Sequence, residues 1–138
     1  MIHDLHHLGL TVGDVEASAS WYERTLGFRR VGEYTWADGS IRKVFMRHDR
    51  LRVRLGLTEH RSGSKSAFDE TRIGLDHLAF AVSSRDELDE WARRFAAAGV
   101  RCAPIAPSNS IPGAAVVVFR DPDGIQLEVF FDPTFGSS

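Results

Sequence analysis

The chain is short of several things, and each shortage excludes a class of protein. It has one cysteine, Cys102, so no disulfide can form within the chain and a reducing compartment, the cytoplasm, is the expected location. Its formal net charge is -2, so there is no global basic field to attract nucleic acid or an anionic membrane. No apolar run reaches the ~18 residues that suggest a membrane span. The N-terminal stretch lacks the basic-then-apolar order of a secretory leader, so none is expected. With 138 residues, of which 43% are hydrophobic and 26% charged, the composition is that of an ordinary globular protein. One compact domain is the starting expectation.

What is present is internal similarity. "HHLGLTVGDVEASASWYERTLGF" (6–28) and "DHLAFAVSSRDELDEWARRFAAAGV" (76–100) share an order: histidine, apolar strand, helix start, aromatic-bearing amphipathic helix, then glycine. His7 and His77 are 70 residues apart, whereas Gly27 and Gly99, and Asp49 and Asp121, are 72 apart. An insertion in the second helix region accounts for the change. A single duplication is too short for a solenoid, and it predicts two βαβββ modules sharing one core.

Local signals fill in each module. In the first, a strand over "LHHLGLTV" leads to a helix from Val15 to about Leu26, with Asp14 as N-cap and Gly27 as stop. Strands follow at about 28–36, 41–48 and 51–58. In the second, Ser84 and Glu87 form a capping box, and Leu88, Trp91, Phe95 and Ala98 follow at helical spacing. Strands are expected at about 100–106, 114–120 and 124–131, the last after a "DPDG" turn. The aromatic stripes on both helices read as core. Module one thus spans about 1–58, a polar linker about 59–72, and module two about 73–138. Glu59 and His60 fall in that linker and are expected to be solvated.

Strand alternation sorts the histidines. Leu8, Leu10 and Val12 share the helix-facing side, leaving His7, Gly9 and Thr11 on the other. In module two, Leu78, Phe80 and Val82 face the helix, and His77 falls with Ala79 and Ala81. Along the last strand, Ile125, Leu127, Val129 and Phe131 alternate with Gln126, Glu128 and Phe130. His7, His77 and Glu128 therefore share a facing, with small neighbours Gly9 and Thr11 leaving room for a ligand. Two imidazoles and a carboxylate with open positions beside them suit Fe(II), and also Mn, Ni, Co or Zn. His3 and His6 are outside this pattern.

The stretches "HHLGLTVGDVEASASWYERTLGF", "GLDHLAFAVSSRDELDEWARRFAAAGV" and "FRDPDGIQLEVF" resemble the vicinal oxygen chelate superfamily, the glyoxalase, bleomycin-resistance and extradiol-dioxygenase group. The resemblance covers nearly the whole chain. It implies an α+β fold in which two βαβββ modules form a cup-shaped mixed sheet with helices outside. It also implies one divalent metal ion per site, held by His7, His77 and Glu128, a small oxygenated substrate, and a homodimer. The activity implied is isomerase, lyase or ring-cleaving oxygenase chemistry. The alternative is a non-catalytic, drug-sequestering protein of the bleomycin-resistance type.

The chain also departs from the family's patterns. A fourth ligand position falls at Gly56, which has no side chain to coordinate. Val118 stands where extradiol enzymes carry tyrosine, and 105–118 holds no histidine. Gly9 stands where fosfomycin enzymes carry threonine. Glu128, Tyr34 and His48 are candidate acid–base groups. Arg52 and Arg54, alternating with Leu51, Val53 and Leu55, are candidate clamps for a substrate anion. The loop "SNSIPGAA" (108–115) is a candidate lid, and Cys102 reads as a buried, inert thiol.

Overall fold

The computed structural model describes residues 1–136, so the last two residues assigned above to module two fall outside it. The chain divides into two compact units, Met1–Ser66 and Ala67–Ser138. Each carries the expected βαβββ order, and the fold is α+β.

The first unit runs β1 (His7–Thr11), α1 (Val15–Leu26), β2 (Arg29–Thr35), β3 (Ile41–Arg47) and β4 (Arg54–His60). Its sheet order is β1-β4-β3-β2, with β1 parallel to β4 and the other pairs antiparallel. A parallel β1–β4 pair needs a long crossover, and the intervening α1, β2 and β3 supply it. Asp14 accepts the Ala17 N–H at 3.0 Å, and Gly27 ends the helix at φ 79, a conformation glycine adopts at no steric cost. The helix buries Val15, Ala19, Tyr22 and Leu26, and the sheet buries Leu10, Val44, Met46 and Leu57. Alternation along β1, β3 and β4 places these sheet residues on the α1 side.

The second unit runs β5 (Leu78–Val82), α2 (Arg85–Ala97), β6 (Ala106–Pro107), β7 (Ala115–Arg120) and β8 (Gln126–Phe131). Its order is β5-β8-β7-β6, again with the first pair parallel. Ser84 caps α2 by accepting the Glu87 N–H at 3.1 Å. The Glu87 carboxylate reaches back to the Ser83 N–H at 2.7 Å rather than to that of Ser84. Leu88, Phe95, Val117, Phe119, Leu127 and Val129 form the core, with the Phe95 and Phe119 rings 4.3 Å apart between centroids. Trp91 is only half-buried, and Arg94 lies over its ring. No helix among the described residues is long and apolar enough to cross a membrane.

Several expectations need correction. The strand expected at 100–106 is reduced to an isolated bridge between Cys102 and Phe119 and the two-residue β6. Pro104, between the bridge and β6, lacks the N–H a ladder needs, which breaks this edge. Cys102 is consequently exposed rather than buried. Strand β4 begins at Arg54 and runs through His60, so Glu59 and His60 belong to the sheet. Glu59 is not solvated: its carboxylate accepts the Val15 N–H at 2.9 Å at the start of α1. The remaining linker is also tied down. Lys65 donates to the Gly13 carbonyl, while Phe68 and Glu70 bond to Asp123 and Arg120.

Candidate functional site

In the second unit the β5–β8 register sets Ala79 beside Glu128 and Ala81 beside Phe130. His77 immediately precedes β5. Its Nε2 faces Glu128 Oε2 at 3.6 Å, and its Nδ1 lies 2.6 Å from Asp76 Oδ1. The alternation read from the sequence thus holds for this pair, which lies on the side of the sheet away from α2. The Glu128 side chain is 15% exposed and that of His77 41%, so the carboxylate is largely shielded while the imidazole stays open.

The protons follow from donor and acceptor chemistry. An ionised carboxylate only accepts, so Asp76 takes a hydrogen bond from Nδ1–H of His77. In the neutral imidazole, Nε2 then carries a lone pair aimed at a second carboxylate. In that tautomer two acceptors face each other at 3.6 Å, and a cation can lie between them. A tetrahedral ion with bonds of ~2.1 Å sets its donors ~3.4 Å apart, close to the observed separation. An imidazole whose far nitrogen is held by a carboxylate is also the usual form of a metal-ligating histidine. The pair supplies two of the donors that a divalent metal takes. Within neither unit, among the described residues, are three or more His, Cys, Asp or Glu side chains gathered as a metal-binding group.

Behind Asp76 stands a series of side chains. Gln126 Nε2 donates to Asp76 Oδ1 at 3.1 Å and to the Asp76 carbonyl at 3.2 Å. Arg120 donates to Gln126 Oε1 at 3.3 Å, and its guanidinium grips both oxygens of Glu70 at 2.7 and 2.9 Å. The hydrogen bond from Arg120 holds the Glu70 carboxyl well below its ordinary range, at about 2. Asp76, Gln126, Arg120 and Glu70 were not read from the sequence as site residues. The "DH" dipeptide and the shared facing of Gln126 and Glu128 were available signals. Glu70 had none, because it lies in a polar stretch 50 residues from its partner.

In the first unit, His7 opens β1 opposite Arg54 of β4, and Gly9 stands opposite Gly56. His7 Nδ1 bonds His6 Nδ1 at 2.8 Å, so His6 is engaged by its neighbour. A Cβ built on Gly9 would meet nothing within 4 Å, and Thr11 is exposed. Tyr34, opposite Lys43, is exposed on β2. Arg52 lies before β4 begins, so strand alternation does not orient it as expected; it pairs with Asp4 at 3.1 Å. His48 follows β3, accepts the Arg50 N–H through Nδ1 at 3.1 Å, and packs edge-on against Phe28.

The frame agrees with that of related proteins. Residues 4–129 match the Glyoxalase/Bleomycin resistance protein/Dioxygenase superfamily, and the chain belongs to it. The chain is 27% identical over 133 residues to the protein YqjT of Bacillus subtilis (strain 168), covering 91% of this chain and 96% of that one. It is similar to the crystal structure of a glyoxylase/bleomycin resistance protein/dioxygenase domain from Frankia sp. EAN1pec. The TM-score there is 0.84 at 31% identity, over 96% of this chain and 99% of that one. It shares its fold with the trypanothione-dependent glyoxalase I of Leishmania major. That TM-score is 0.74 at 18% identity, over 99% of this chain and 91% of that one.

Proposed function

We propose that the chain is a divalent-metal-dependent enzyme of the glyoxalase/dioxygenase class acting on a small oxygenated substrate. The observation that carries this reading is His77 Nε2 facing Glu128 Oε2 at 3.6 Å while Asp76 Oδ1 lies 2.6 Å from the other ring nitrogen. His77 and Glu128 would hold the ion. His7 is the third ligand on the strength of the repeat and of the family resemblance. Bound there, a divalent ion supplies Lewis-acid stabilisation to negative charge developing on a substrate oxygen.

The chain's own groups do the rest. Glu128, facing His77 at 3.6 Å, would serve as the acid–base group of the site. Gly9 would leave space for the substrate beside His7, and Arg54, next to His7 in the register, would meet an anionic substituent. The homodimer implied by the resemblance belongs to the same proposal.

Metal analysis of protein purified without chelator tests the reading. Stoichiometric Fe, Mn, Ni, Co or Zn is expected in the native chain, with loss of metal and of activity in His77→Ala and Glu128→Ala. A Glu128→Ala protein that still held one metal per chain would overturn the assignment. A metal-free native protein that binds small molecules without turning them over would instead support the sequestering alternative.

A further inference from the structure

A neutral imidazole carries one ring proton, and whether Nδ1 or Nε2 of His77 holds it depends on what each nitrogen faces. We propose that Asp76 is the positioning residue that makes the distinction, and that Gln126, Arg120 and Glu70 fix Asp76 in turn. Each link has a single sense. Arg120 only donates, so Gln126 must present Oε1 to it; Gln126 Nε2 must then point to Asp76, whose carboxylate only accepts. Asp76 Oδ1 takes the Nδ1 proton of His77 at 2.6 Å, leaving Nε2 bare toward Glu128. Glu70 anchors the far end through a two-bonded grip on Arg120, which also donates to the Gly124 carbonyl at 3.1 Å in the turn before β8. The tautomer and direction of the candidate ligand are thereby tied to the segment that precedes module two. The corresponding positions of module one, His6 and Arg54, provide no such carboxylate.

This inference rests on the metal reading only for its purpose; the ring's state is measurable without metal. In metal-free protein at a pH where the imidazole is neutral, long-range ¹H–¹⁵N correlation of the His77 ring should show Nδ1 protonated and Nε2 bare. Asp76→Ala should move the population toward the Nε2-protonated form, and Asp76→Asn, whose amide oxygen still accepts, should restore much of the native pattern. Zn²⁺ affinity, read by calorimetry, should fall about 10–100-fold in Asp76→Ala and less in Asp76→Asn. Glu70→Gln should give a smaller shift in the same direction. An unchanged His77 tautomer in Asp76→Ala would overturn the positioning role whatever the protein does with zinc. A tautomer that shifts as expected in a protein that never binds metal would leave the positioning role standing and overturn the metal reading instead.

Discussion

The two modules have the same frame and different chemistry. Both run βαβββ, both pair the first and last strands in parallel, and both set a histidine at or just before the start of the first strand. Around His77, module two gathers Asp76, Gln126 and Glu128. At the corresponding places around His7, module one has His6, Arg54 and Gly56. One imidazole stands between two carboxylates; the other meets a second imidazole, an arginine and a missing side chain. Duplication thus supplied a backbone with equivalent positions, and substitution at a few of them concentrated the negatively charged donors in one copy.

Removing the charged donors is the largest way to break that contrast. Glu128→Ala should abolish metal binding measured by equilibrium dialysis, and His77→Ala should do the same. Cutting into the core of module two comes next: Phe119→Ala should cost about 3–5 kcal/mol in urea denaturation, because Phe119 is fully buried against Phe95.

The acid limb of stability separates the modules in another way. Glu70 has its carboxyl lowered by Arg120 to about 2, and His48 occupies the place of Arg120 in module one. A lowered carboxyl stabilises the fold above its ordinary value of 4.5, and that contribution disappears as pH falls through about 2. Glu70→Gln should therefore flatten the loss of stability across that window in a pH series of melting temperatures. Ser84→Ala should cost about 1 kcal/mol, the usual value for a lost N-cap. The smallest effect expected is from Gly56→Ala, which adds only a methyl group at the place of module two's acid. A Cβ there meets only the Leu8 carbonyl at 3.8 Å, so the variant should fold with a melting temperature close to native.

Much of the fold was legible from local patterns. Strand alternation around Leu10, Leu57, Leu127 and Val129, the helical spacing of Leu88 and Phe95, and the caps at Asp14, Gly27 and Ser84 are short-range signals, and each matches the structure. The failures have a common cause. The 100–106 strand was interrupted at Pro104, at a sheet edge where pairing depends on a distant neighbour. Glu59 was read as solvated because its partner, the Val15 N–H, lies 44 residues away. Arg52 was oriented by an alternation that starts only at Arg54.

The candidate site divides in the same manner. Chain order and alternation were enough to put His77 and Glu128 on one side of their sheet, because side-chain facing repeats every two residues along a strand. They were also enough to show that Gly56 breaks the symmetry. Which carboxylate takes the Nδ1 proton of His77 needed the folded chain. So did the run of Gln126, Arg120 and Glu70 behind it, whose partners lie as much as 50 residues apart. Donor and acceptor pairs at such separations leave no periodic trace in a sequence, since only the register of β5 on β8 and the return of the connecting segment bring them within bonding distance.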